Sequence, residues 1–289
     1  MIGNVGISRR QGVEWNSLPL EPGRVAIGWL GQAGFAFRHG RHAFLIDPYL
    51  SDSLADKYEG KEFPHPRMMP APVAPEDLSG IDWVFCTHRH GDHMDPGTLP
   101  VIADNIPECR FIVPAACVGH AVESVGLPRE AVSGVNAGQH VELAHDLHVD
   151  VLASAHEDLS FNKRGESEFL GFIFQLGGVR IYHSGDCTPY EGLEQSLSAD
   201  PVDIAIMPVN GRDEYRTSRG IIGNFHLEEA LRICGDCLIP VLLPCHFGMF
   251  AFNTADVAAL KERARAPGGG VRIVVPEIDE TLLVCGETQ

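Results

Sequence analysis

Short runs of β-branched, aliphatic and aromatic residues recur along the chain, separated by turn-forming residues, and they predict strands. They lie at residues 25–30, 35–37, 43–46, 83–85, 111–113, 149–152, 169–175, 179–182, 204–209, 241–243 and 271–275. Helical spacing of apolar positions falls at 227–233 and 254–264. In the first half short strands follow one another through glycine turns, whereas later strands and helices alternate. That mix predicts an α/β (α+β) fold of sheets covered by helices rather than a helical bundle or a β-sandwich. No repeat, low-complexity tract or linker divides the sequence, so one domain over residues 1–289 is expected. The irregular stretch is 51–80, punctuated by Pro64, Pro66, Pro70, Pro72 and Pro75. A loop of that length in a compact domain is usually functional or disordered. Its place directly before a histidine-rich segment marks it as a wall or lid over a site.

Composition narrows the class. The 289 residues are 44% hydrophobic and 21% charged, enough to bury a sizeable core. No run reaches the roughly 20 apolar residues of a membrane span. Residues 1–20 carry Arg9, Arg10 and Glu14 and lack an apolar run of signal-peptide length, so a soluble cytoplasmic protein with no membrane partner is expected. The eight cysteines then read as buried free thiols, and Cys234-Gly235-Asp236-Cys237, a lone CxxC, is a weak zinc signal without a second pair. A net charge of −17 without a basic stripe argues against nucleic acid and for a small molecule, whose anionic group a local arginine cluster can hold.

The strongest chemical signal follows the apolar run at 83–85. In Thr87-His88-Arg89-His90-Gly91-Asp92-His93, four metal-ligating side chains lie within six residues, in a loop that Gly91 lets turn sharply. Imidazole and carboxylate donors suit Zn, Mn or Fe ions. Further donors stand at the ends of later strands: His156, Asp186 in Tyr182-His183-Ser184-Gly185-Asp186, and His246 in Pro244-Cys245-His246-Phe247-Gly248.

This THxHxDH pattern, with His156, Asp186 and His246, resembles the metallo-β-lactamase superfamily. The resemblance implies a four-layer αββα sandwich with a site for two divalent ions at one edge of the sheets. It implies that His88, His90 and His156 hold one ion, that Asp92, His93 and His246 hold the other, and that Asp186 bridges them. Within the superfamily the chain is most similar to the L-ascorbate-6-phosphate lactonase-like branch, through Trp29-Leu30-Gly31-Gln32-Ala33-Gly34-Phe35, Ile81-Asp82, Tyr182-His183-Ser184-Gly185-Asp186, Arg219-Gly220, His246 and Phe252-Asn253. Family position also implies that Asp47 steadies the histidine loop through hydrogen bonds, with His183 as a second supporting or core residue.

The expected function is therefore a metal-dependent hydrolase using a metal-bridging hydroxide, since two ions about 3.5–4 Å apart ionise a shared water near neutral pH. Asp92, with a second oxygen to accept a proton, is the candidate for orienting that hydroxide. The expected substrate is a lactone of a small phosphorylated or acidic sugar derivative. Among residues 210–220, Arg212 and Arg219 are candidates for gripping its anionic group, Arg219 foremost because Arg219-Gly220 matches the branch. The alternative is that these arginines pair with Asp213 and Glu214. His226, where a helix begins, is a third substrate candidate or a helix cap. A phosphodiesterase is the runner-up, and a thioesterase or glyoxalase-II-like hydrolase also fits the scaffold. A β-lactamase often places Cys where Asp186 stands. Di-iron redox relatives usually carry an acidic residue at the position of His90, and a non-catalytic metal-binding protein would not be expected to keep every ligand. At family level a homo-oligomer is expected.

Overall fold

The computed structural model describes residues 5–12, 15–16, 18–266 and 270–286, so part of the stretch 1–20 read for a signal sequence lies outside the described residues. The strands in chain order are β1 (Gly6–Gln11), β2 (Arg24–Gly31), β3 (Gly34–His39), β4 (His42–Ile46), β5 (Trp83–Phe85), β6 (Arg110–Pro114), β7 (Val132–Val135), β8 (His140–Ala144), β9 (Leu147–Ala153), β10 (Ala155–His156), β11 (Asp158–Leu159), β12 (Leu170–Leu176), β13 (Val179–His183), β14 (Ile204–Pro208), β15 (Val241–Cys245), β16 (Arg272–Ile273) and β17 (Glu280–Cys285). One eight-stranded sheet runs β1-β17-β2-β3-β4-β5-β6-β7, and a seven-stranded sheet runs β16-β15-β14-β13-β12-β9-β8. Each sheet is antiparallel on one side and parallel on the other: β4-β5-β6-β7 in the first, β13-β14-β15-β16 in the second.

The sheets meet through an aromatic layer. Phe37 stacks on Phe44 at 4.9 Å, and Phe174 of the other sheet lies 4.8 Å from Phe44 and 5.0 Å from Phe85. All four rings are fully buried, each contributing about 1.5–3 kcal/mol. The far face of the first sheet, with Ala36, Leu45, Val84 and Phe111, packs with Leu99 and Ile102 of the helix Leu99–Asn105 and with Ala121 and Val125. The second sheet packs with Ala230 and Ile233 of the helix Leu227–Asp236 and with Leu260 of the helix Val257–Arg265. Strands covered on both faces read as unbroken apolar runs, which is why the expected runs mark them so well. The result is the expected αββα sandwich.

Six strands escape the pattern. β1 is almost wholly exposed and polar, and it exists because its backbone pairs with β17. β7, β8, the short pair β10 and β11, and β17 are the others, and the strand expected at 271–275 pairs only over Arg272–Ile273. The segment 51–80 is not structureless. It contains the short helix Ser53–Lys57 and a 3-10 turn at Pro75–Asp77. All eight cysteines are free thiols, and Cys234 and Cys237 are buried against the helix-covered face. No helix among the described residues is long and apolar enough to cross a membrane.

Candidate metal centre

The site forms where strand ends converge. β2, β4, β5, β9, β13 and β15 run into Gln32, Asp47, His88, His156, Asp186 and His246 respectively. After β5 the chain tightens into a turn in which the N–H groups of His93 and Met94 both bond to the His90 carbonyl, at 3.0 and 2.7 Å. The turn sorts its side chains into two groups. Ligating atoms of His88, His90, His156 and Asp186 lie within 4.8 Å of one another, as do those of Asp92, His93 and His246. Asp186 stands between the groups, its Oδ1 3.3 Å from His93 Nε2 and its Oδ2 3.4 Å from His246 Nε2 and 4.0 Å from His156 Nε2. Asp92 Oδ2 lies 3.6 Å from His246 Nε2 and 3.7 Å from His93 Nε2. All seven expected ligands are thus brought together.

Asp47 holds the cluster from behind. Its Oδ1 accepts the Thr87 N–H at 2.8 Å, and its Oδ2 accepts the Thr87 hydroxyl and the His93 Nδ1–H, each at 2.7 Å. The Thr87 oxygen in turn accepts the His88 Nδ1–H at 3.0 Å. Both imidazoles are thereby fixed with Nε2 turned toward the centre, the orientation a carboxylate–histidine–metal relay requires. His183 is buried and donates from Nε2 to the Ala33 carbonyl at 2.9 Å, while its Nδ1 accepts the Gly185 N–H at 3.1 Å. That bond shapes the turn that presents Asp186. Gly185 itself has φ +61°, and a Cβ there would meet the Leu170 carbonyl and Thr87 Cβ, each at 2.8 Å.

Two neighbours of the cluster carry no signal in sequence as site residues. Gln32 donates from Nε2 to Asp92 Oδ2 at 2.9 Å, with His246 Nε2 at 3.1 Å. Asp95 is buried and accepts hydrogen bonds from Ser51, Ser53, Gly97 and Thr98, tying the segment 51–80 to the histidine turn. Gln32, Asp47, Glu157 and His246 all have φ between +47° and +72°, the left-handed region that non-glycine residues avoid. Such strain costs about 1–3 kcal/mol per residue and concentrates at functional sites.

The electrostatics call for positive charge. Burial opposes ionisation of Asp92 and Asp186, yet the imidazoles of His93 and His246 hold both carboxyls below the usual range. Burial likewise disfavours protonated His93 and His246, but the surrounding carboxylates Asp186, Asp47 and Asp92 raise His93, and Asp186 and Asp92 push His246 up to about 9. His88 is driven down by burial and by its histidine neighbours, and His156 falls to about 4, chiefly through burial. His88 Nε2, His93 Nε2 and Asp186 Oδ1 are buried without a hydrogen-bond partner. Orphaned lone pairs and clustered carboxylates are the donor set of a divalent-cation site, and the residues fit such ions.

The cluster forms the floor of a cavity of about 720 Å³, in the size range of small-molecule sites. Lys57, Lys61, Arg89 and Arg219 stand around it, with an apolar wall of Phe63, Phe250 and Phe252. Arg219 reaches the cavity as expected. It is held by Glu62 Oε1 at 3.0 Å, with its guanidinium 3.9 Å from the Tyr215 ring. Arg212 does not line the cavity. It makes a bidentate pair with Glu229, both bonds at 2.7 Å, and bonds the Asn224 carbonyl, so its charge is spent on fixing the start of the helix Leu227–Asp236. His226 is not in the cavity either. It is the exposed N-cap of that helix, and its N–H donates to Glu229 at 2.8 Å. Arg216 pairs with Asp213 and donates to Asn253 Oδ1 at 2.7 Å. Arg212→Ala is therefore expected to lower unfolding free energy by about 0.5–1 kcal/mol while leaving kcat/KM unchanged, as read by urea denaturation and steady-state kinetics.

A two-sheet αββα scaffold with clustered histidines and aspartates at its strand ends defines a metallohydrolase-type fold. The chain belongs to the β-lactamase superfamily domain family, whose model matches residues 42–247. It is 25% identical over 260 residues to a UPF0173 metal-dependent hydrolase of Thermoplasma acidophilum, covering 89% of this chain and 98% of that one. A UPF0173 metal-dependent hydrolase of Archaeoglobus fulgidus is 26% identical over 254 residues, covering 87% and 95%. Among solved structures, an isothiocyanate hydrolase from Delia radicum gut bacteria superposes with a TM-score of 0.69 at 17% identity, covering 89% of this chain and 98% of that one. That likeness establishes the fold.

Proposed function

We propose that the protein is a metal-dependent hydrolase that opens a lactone of a small phosphorylated or acidic sugar derivative. The observation that carries this reading is the charge of the cavity. In a chain with 39 acidic and 22 basic residues, Lys57, Lys61, Arg89 and Arg219 gather around one cluster of histidines and aspartates. An anionic substrate is drawn to that rim, and its reacting group is delivered to the floor.

His88, His90 and His156 would hold one divalent ion (Zn, Mn or Fe), Asp92, His93 and His246 a second, with Asp186 shared. Ions in that setting supply Lewis acidity and a readily ionised water. The protein's own groups do the rest. Asp47 and Thr87 fix the tautomers of His88 and His93. Gln32 pins Asp92 Oδ2, whereas Asp92 Oδ1 has no hydrogen bond among the described residues. We assign Asp92 Oδ1 to accept the proton of the attacking water and to return it to the ring oxygen as the acyl C–O bond breaks. Arg219 and Lys61 hold the anionic group, and Phe63, Phe250 and Phe252 exclude water beside the sugar ring.

A phosphodiester is the second reading, because the same cations accommodate its charge and two ions suit in-line displacement. The test is turnover of metal-loaded protein against L-ascorbate 6-phosphate, simple lactones, bis(p-nitrophenyl) phosphate, a glutathione thioester and nitrocefin. Lactone opening, followed as acid release, is expected to be fastest, and turnover of the phosphodiester alone would overturn the assignment. Arg219→Ala should raise KM for the anionic lactone about fivefold to tenfold with little change in kcat, a charge-assisted contact discounted for its exposure.

A further inference from the structure

We propose that the outer face of the β8–β9 ribbon is a separate binding site for a divalent transition metal, built from His140, Glu142 and His148. One ligating atom from each of the three lies within 4.8 Å of the others. The ladder explains why. β8 pairs antiparallel with β9, with His140 opposite Asp150 and Glu142 opposite His148. Residues two apart on a strand share a face, and directly opposed residues share it too, so all four side chains emerge together. Val149 and Val151, on the other face of β9, are buried in the core.

The chemistry is selective. Two imidazoles and one carboxylate, partly exposed and with coordination positions left open, suit Zn2+, Cu2+ or Ni2+ rather than Ca2+ or Mg2+. Asp150 supplies the supporting contact that an isolated surface histidine lacks. Its Oδ1 accepts the His140 Nδ1–H at 2.6 Å, which fixes the tautomer and leaves Nε2 as the ligating atom. Arg180 bonds Asp150 Oδ2 at 3.2 Å, so that carboxylate is committed to orientation rather than to the ion. The rings of His140 and His148 lie 5.5 Å apart in a stacked arrangement. His148 Nδ1 is buried without a hydrogen-bond partner, the same signature as His88 Nε2 and His93 Nε2 in the catalytic cluster.

The site is distinct from that cluster. His148 lies near the start of β9, five positions before Ala153, where the chain leaves the strand for His156, or about 17 Å of extended backbone. β8 is the edge strand of its sheet, so an ion gripping both strands would clamp that edge.

The test uses the full-length protein. After equilibrium dialysis against zinc, the double variant His140→Ala/His148→Ala should bind one zinc fewer per chain than the wild type, with unchanged turnover. A variant disabled in the catalytic cluster, His88→Ala/His246→Ala, should still bind Cu2+ with two-nitrogen hyperfine structure in its EPR spectrum. That signal should weaken at least tenfold in affinity when His140→Ala is added. Equal zinc stoichiometry in wild type and the β8–β9 double variant, or a Cu2+ signal indifferent to His140, would overturn the proposal. Because the lost ion is counted apart from turnover, failure here leaves the proposed hydrolase reading untouched.

Discussion

Asp186→Ala is expected to lower kcat/KM at least about 1000-fold and to strip metal from the protein. Asp186 is the carboxylate that stands between the two ligand groups, at 3.3 Å from His93 and 3.4 Å from His246 on one side and 4.0 Å from His156 on the other. In the proposed centre its removal would take the shared ligand from both positions, and it leaves His93 and His246 without the largest of their counter-charges. Lewis-acid stabilisation of this kind is worth several kcal/mol, and each 1.36 kcal/mol is about tenfold in rate. Steady-state kinetics alongside metal analysis would check it, with circular dichroism to show that the sandwich persists. Retention of both metal and turnover would remove Asp186 from the centre.

The second large effect is expected from Asp47→Asn, with metal affinity or activity falling about 10–100-fold. Asp47 touches no substrate and is not among the proposed ligands. Asparagine tolerates the left-handed backbone at φ +47°, so the fold of the turn should survive. The chemistry should not. An amide that keeps its oxygen on the Thr87 N–H places an NH2 where Oδ2 accepts the His93 Nδ1–H. His93 must then carry its proton on Nε2, the atom aimed at Asp92 and Asp186. Asp47→Ala adds backbone strain but imposes no wrong tautomer, so its metal affinity should exceed that of Asp47→Asn relative to the stability each variant retains. Isothermal titration with zinc, paired with thermal denaturation, separates the two effects.

The central strands were legible because burial on both faces forces unbroken apolar runs, as at 25–30, 204–209 and 241–243. β1 was not, since GISRRQ at a sheet edge is specified by its partner β17 rather than by its own burial. The histidine turn was legible because four donors sit within six residues. Gln32 and Asp95 were not, because their role is a hydrogen bond to residues far along the chain, which spacing does not record. Positive φ at Asp47 and His246 is equally silent in sequence. Arg212 misled for a related reason. In an acidic chain it reads as free charge, and its bidentate partner Glu229 is revealed only when the helix start folds back. Lys57 and Lys61, hidden in a segment read as irregular, take the place beside the cavity that was expected of it.

The two-ion centre is tested most directly by anomalous diffraction from crystals grown with zinc. Two peaks about 3.5–4 Å apart are expected, one among His88, His90 and His156, the other among Asp92, His93 and His246, with Asp186 reaching both. A single peak at the cluster, or none there while zinc binds elsewhere on the chain, would contradict the two-ion centre.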